Sequence, residues 1–250
     1  MTKLSVNLNK VALLRNSRPL GMPGVVRAAQ TVIAAGAHGI TVHPRPDGRH
    51  IRTHDVRDLA QLLANYPDVE FNVEGNPFEN LIDLALQVKP HQCTLVPDDP
   101  AAFTSDHGWD LPKDTARLKP SIARLKAAGI RVSLFMDATP AVVARAADAG
   151  ADRVELYTEP YAAAFGGENE NRELRRFARA AEAAQRAGLG VNAGHDLNRQ
   201  NLPRFLSTVK HILEVSIGHA LVADALDNGL TQTVRDYLAA MHIENIGHAA

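Results

Sequence analysis

Four junctions of the chain, AAGAHGITVH, KAAGIRVSLF, DAGADRVELY and QRAGLGVNAG, repeat one local design. In each, an alanine-rich helix end meets a glycine and then an aliphatic strand. The glycine suits the left-handed backbone that closes a helix. Extending the pattern gives eight short β-branched or aliphatic runs, at residues 4–8, 39–43, 69–73, 93–96, 131–136, 153–157, 190–192 and 213–217. Between them lie segments of helical periodicity, including residues 25–35, 56–64, 115–128 and 171–187. Strands alternating with helices predict βαβ units and a parallel sheet. Eight such units in 250 residues predict a single (β/α)8 TIM barrel, with residues 1–250 forming one domain. A doubly wound sheet is the competing arrangement, but no GxGxxG follows the first strand.

The bulk properties narrow the class. A chain of this length buries about 75% of its unfolded surface, enough for one large core. The formal net charge of -1 argues against a general nucleic-acid binder, which would carry a basic face. The single cysteine, Cys93, excludes an internal disulfide and fits a reducing compartment. The opening MTKLSVNLNK lacks the apolar run of a signal peptide. No apolar run is long enough to span a membrane, so a cytoplasmic protein is expected.

In a barrel of this kind the active site forms at the C-terminal ends of the strands. Asn7 and Asn9 end the first run, followed by Lys10, Arg15 and Arg18. His43 and Arg45 end the second, with His50 in its loop. Glu70, Asn72 and Glu74 share one face of the third by alternation. Asp137 ends the fifth run and Glu155 lies within the sixth. Asn192 and His195 end the seventh, and Gly218 and His219 the eighth. A buried carboxylate such as Glu70 is costly unless paired or functional, so it is either a structural ion pair with an arginine or a catalytic group. The crowding of Arg15, Arg18, Arg45, Arg49 and Arg52 into the first two loops is either a solvated cluster or a phosphate clamp. In VSIGHAL, a glycine and then a helix start follow the eighth strand, the usual barrel position for phosphate on backbone N–H groups. The closing IENIGHAA echoes that run and is expected to be coincidental.

Residues 97–112 form the longest irregular stretch and follow the fourth strand, which predicts a lid over the site. Residues 158–167 are a second candidate loop. Several chemistries lack their parts. There is no GxSxG elbow and no Walker loop. Apart from Lys10, no lysine stands near a strand end to form a Schiff base. Cys93 begins a strand, facing away from the catalytic end. A divalent-metal site built from His43, Glu70, Glu74 and His195 stays open on these residue types.

The segments VNLNKVALLRNSR, GITVHPRPDGRHI, VSLFMDA, VNAGHDL and EVSIGHAL, in this order and spacing, resemble the pyridoxine 5′-phosphate synthase family. The resemblance runs over residues 4–238. It implies condensation of 3-amino-2-oxopropyl phosphate with 1-deoxy-D-xylulose 5-phosphate, giving pyridoxine 5′-phosphate, phosphate and water. It implies His43 as general base, Glu70 as a second base, His195 as proton donor and Glu155 as a group that stabilises the transition state. Arg45, His50 and Thr104 would bind the sugar phosphate, and Asn7, Arg18, Gly218 and His219 the amino ketone phosphate. No metal and no cofactor is implied; the partners are small phosphorylated substrates and further copies of the chain, an octamer by resemblance. Two positions depart from the family pattern. Asn9-Lys10 stands where many members have Asp-His, and Asp196 where many have glycine; Asp196 is expected to bind through its backbone N–H. Glu74, nearer the catalytic end, rivals Glu70. Two other readings remain: a metal-dependent sugar isomerase or epimerase, and a barrel that only binds phosphorylated metabolites.

Overall fold

The computed structural model describes residues 1–99, 102 and 104–242. Eight strands form the sheet: β1 (Lys3–Asn7), β2 (Gly39–Val42), β3 (Glu70–Gly75), β4 (Gln92–Leu95), β5 (Arg131–Met136), β6 (Arg153–Tyr157), β7 (Gly190–Gly194) and β8 (Ile212–Ile217). They close in sequence order into a barrel, each pair parallel, with β8 returning to β1. The expected (β/α)8 barrel is therefore the observed fold.

The junction glycines close their helices as expected. Gly36, Gly129, Gly150 and Gly188 have φ of 104°, 78°, 92° and 81°, a left-handed backbone at each helix end. A side chain there would meet its own carbonyl, which is why glycine recurs. The helices expected at residues 25–35, 56–64, 115–128 and 171–187 appear as Val25–Ala34, Thr53–Leu63, Leu111–Ala127 and Glu170–Arg186. Shorter helices escaped the periodicity, among them Asn9–Asn16 directly after β1 and Glu159–Ala164 inside the second expected loop. Two turns of helix contain too few residues for a 3.6-residue period to register. Among the described residues no helix is long and apolar enough to cross a membrane.

Strand alternation divides the interior into two environments. Outward residues such as Leu4, Val6, Ile40, Val73, Leu134 and Val215 are fully buried between the sheet and the helices. Each contributes roughly 1.5–3 kcal/mol of hydrophobic stabilisation, so the core that holds the fold is this annulus. The lumen, by contrast, is polar. Ser5, Thr41, Asn72, Thr94, Ser133, Glu155 and Asn192 are all buried, where many barrels of this class place Val, Ile and Leu. Buried polar groups are stable only when paired. Ser5 Oγ and Thr41 Oγ1 lie 2.7 Å apart, and Thr94 donates to Asn72 Oδ1 at 3.0 Å.

At the N-terminal end of the barrel, Glu70 pairs with Arg131 and accepts from Lys3 Nζ at 3.5 Å. Arg131 Nε donates to Gln92 Oε1 at 3.0 Å, and Arg153 Nη1 to Asn192 Oδ1 at 3.3 Å. This network closes the lumen at the end away from the loops that follow the strands.

Candidate active site

At the C-terminal ends of the strands, the loop after β2 is braced by β1's helix. Arg15 pairs with Asp55, and Asn16 Nδ2 donates to the carbonyls of Arg49 and His50 at 3.0 and 2.8 Å. Arg15 thus serves structure, not anion binding. Asn7 Oδ1 accepts the Asn9 N–H at 2.9 Å, and Asn9 Oδ1 in turn accepts the N–H of His43 at 2.9 Å. The first strand end therefore sets the backbone of the second. Gly218 packs on Asn7 so tightly that a Cβ would stand 3.1 Å from the Asn7 Cβ.

His43 is 6% exposed, and burial, then the nearby Arg45 charge, holds its pKa well below the ordinary histidine range. It is neutral at physiological pH and able to accept a proton. Its ring meets that of His50 edge-on at 6.2 Å. His50 is pushed down to about 4, by burial and then by Arg45 and Lys10. Arg45 donates from Nη2 to Asp98 Oδ2 at 2.5 Å and from Nη1 to the Ala102 carbonyl at 3.0 Å. Asp98, buried in the segment after β4, also accepts from Ser105 Oγ at 2.9 Å and lies 3.6 Å from His43 Nε2. Burial raises its carboxyl, against the opposing pull of Arg45.

Two carboxyl groups face the upper lumen. Glu74 accepts from Asn72 Nδ2 at 3.3 Å. Its pKa is raised well above the ordinary range by burial and then by the neighbouring Glu155. Glu155 is pushed up to about 8 by burial and then by Glu214. Its Oε2 is buried with no hydrogen-bond partner among the described residues. Gly194 makes room for this carboxyl, since a Cβ there would collide with Glu155 Oε1. Burial first, and then the charge of neighbouring carboxylates, thus favours the protonated form of both acids.

His195 follows β7, its ring wedged against Tyr157 and Phe135 at 5.3 and 6.1 Å. Its Nε2 lies 3.3 Å from Thr104 Oγ1, so part of the expected lid does stand over the site. Gly218 precedes the helix His219–Asn228. Arg18 is exposed just past the first helix.

His43, Arg45, His50, Glu155, His195, Thr104, Asn7, Gly218, His219 and Asp196 are thus all placed at one end of the barrel. Glu70 is not. Its ion pair with Arg131 and Lys3 sits at the other end, so the third-strand acid at the catalytic end is Glu74, one residue past the Val42–Val73 pairing just as His43 is. The expectation for Glu70 as a base is corrected accordingly, because four residues along a strand move a side chain by about 13 Å. The same separation breaks up the metal set of His43, Glu70, Glu74 and His195, and no metal-holding group of three acids, histidines or cysteines occurs among the described residues. Sequence reasoning missed Asp98, which one strand end and the adjoining VPDD could have flagged had the loop's other aspartates not masked it. The IENIGHAA tail lies outside the described residues.

The family described as pyridoxal phosphate biosynthesis protein PdxJ matches residues 4–243. A pyridoxine 5′-phosphate synthase of Albidiferax ferrireducens is 61% identical over 242 residues, covering 95% of this chain and 96% of its own. One from Xanthomonas campestris pv. campestris is 56% identical over 245 residues, covering 95% of each. Among solved structures, a 3-keto-L-gulonate-6-phosphate decarboxylase of Vibrio cholerae superposes with TM-score 0.62 at 11% identity, covering 96% of this chain and 97% of its own. A Mycobacterium tuberculosis tryptophan synthase gives TM-score 0.63 at 12% identity, covering 97% and 93%. At such identities these structures bear on fold alone. Family match and close relatives agree over nearly the whole length, and this chain belongs to the PdxJ family, the pyridoxine 5′-phosphate synthases.

Proposed function

We propose a division of labour among the side chains for the family's reaction, the condensation of 3-amino-2-oxopropyl phosphate with 1-deoxy-D-xylulose 5-phosphate. Neutral His43 is the general base. Glu74 is its neighbour on the third strand, and Glu155 supplies a protonated acid whose Oε2, without a partner among the described residues, is available to a developing oxyanion. His195 is the proton donor on the opposite wall. Arg45, His50 and Thr104 take the sugar phosphate, with the phosphate replacing Asp98 on the Arg45 guanidinium. Asn7, Arg18, Gly218 and His219 take the amino ketone phosphate, and the Asp196 backbone N–H completes the anion contacts.

Imine formation, enolisation, loss of phosphate, ring closure and dehydration each need protons delivered to or taken from the reacting atoms, and none changes the overall oxidation level through an outside oxidant or reductant. A neutral imidazole and a carboxyl raised by burial suit them near neutral pH. The observation that carries this reading is the pairing of environments in one lumen: a histidine held neutral and a carboxyl held protonated. Each is in the form its role requires before substrate arrives.

The test is to incubate the purified protein with both phosphorylated substrates in the presence of a chelator. Product absorbance of pyridoxine 5′-phosphate is the expected result. Activity that returns only with a stoichiometric divalent metal would favour the isomerase-like reading, and no product between pH 6 and 9 would favour a metabolite binder.

The same reading places the protein in the cytoplasm, in keeping with its lone buried thiol. It also assembles the chain into a homo-oligomer, an octamer as family resemblance implies. Leu13, Leu14, Leu20 and Met22 support this, being 42%, 51%, 61% and 67% exposed around the first loop. Light scattering that finds a strict monomer would overturn the assembly.

A further inference from the structure

We propose that the Asp196 side chain is a positioning residue for His195, holding Nδ1 of the imidazole so that Nε2 is presented to the substrate. The inference rests on the reading of His195 as proton donor.

The backbone supplies the first observation. His195 and Asp196 are consecutive non-glycine residues in the left-handed region, with φ of 64° and 65°. Each is less favourable than an ordinary backbone, a cost that glycine would avoid. The surroundings enforce it. The buried Thr158 hydroxyl donates to the Gly194 carbonyl at 2.9 Å and lies against that of His195. Asn201 Nδ2 donates to the Asp196 carbonyl at 3.2 Å.

The second observation is what this conformation brings together. Asp196 Oδ2 lies 3.3 Å from His195 Nδ1, while His195 Nε2 points the other way, to Thr104 Oγ1. Tyr157 and Phe135 prevent the ring from turning freely. The two side chains are 31% and 40% exposed, and such a pair contributes little to stability. Strain without a stabilising return is found where it serves function. A carboxylate on Nδ1 stabilises the imidazolium and fixes the ring's orientation, so the Nε2 proton is the one given to the substrate and Nε2 is the nitrogen left bare, ready to be reprotonated, once it has been given. The hydrogen bond from His195 is also the leading cause of the lowered Asp196 pKa, so the carboxylate is ionised where it is needed.

Asp196→Gly and Asp196→Asn separate positioning from structure. Asp196→Gly removes the strain, so its melting temperature should equal or exceed that of the parent protein. Its kcat should nevertheless fall by about 10–100-fold, part of the contribution of a positioned acid, with KM for both substrates little changed. Nitrogen NMR of the neutral His195 ring should show the proton on Nδ1 in the parent and mainly on Nε2 in Asp196→Gly. Asp196→Asn keeps an acceptor oxygen and should preserve the Nδ1 tautomer, with kcat closer to the parent than that of Asp196→Gly. A parent-like kcat and tautomer in Asp196→Gly would overturn the proposal while leaving the donor assignment standing. Parent-like kcat in His195→Gln would instead overturn that assignment and the inference built on it.

Discussion

The Asp98 carboxylate holds the Arg45 guanidinium at 2.5 Å, both groups being buried. The cation assigned to the substrate phosphate is therefore already neutralised by a residue of the segment above it. Removing one member of a buried pair strands the other charge, which costs about 3–5 kcal/mol. Asp98→Ala should lower stability by that order in urea unfolding, and Arg45→Ala/Asp98→Ala should recover most of the loss. Arg45→Ala alone should raise KM for the sugar phosphate more than it lowers kcat, because the contact exists in ground and transition states alike. Additive losses in the double variant would show that the pair is not coupled.

Glu70 and Glu74 offer a direct contrast on one strand face. Glu74→Gln should reduce kcat on the order of 10²-fold or more, since it alters the acid beside His43. Glu70→Gln should leave kcat within a few-fold and instead lower the melting temperature, because Arg131 and Lys3 lose their partner. Full activity in Glu74→Gln with a collapse in Glu70→Gln would reverse the assignment.

Glu155 makes a pH-dependent contribution whose sign is fixed. Its ordinary value of 4.5 applies to the unfolded chain, and about 8 to the folded one. As pH rises from 4.5 the unfolded chain releases this proton first, so the stability present at low pH is lost progressively until about pH 8. Glu155→Gln is free of that loss. Its melting temperature should stay near the parent's at pH 5 and exceed it at pH 8, while its kcat falls. A constant difference across this range would show that Glu155 is not held protonated.

Much of this architecture was legible because it rests on local rules. The αL glycines at 36, 129, 150 and 188, and the alternation that points Asn7, His43 and Glu155 inward, follow from backbone geometry. What escaped was non-local. Nothing in the third strand's pattern tells which of Glu70 and Glu74 will meet an arginine, since Arg131 approaches from two strands away. Asp98 likewise gains meaning only when the chain after β4 folds back over Arg45. The tether from Asn9 to His43 joins residues 34 positions apart, beyond any sequence window.

The central claim is that a neutral, buried His43 is the base at this end of the barrel. Steady-state kinetics of His43→Gln with both phosphorylated substrates test it most directly. The account predicts a fall in kcat on the order of 10²–10⁴-fold with KM for the sugar phosphate little changed. A near-normal kcat would contradict it and move the base away from His43.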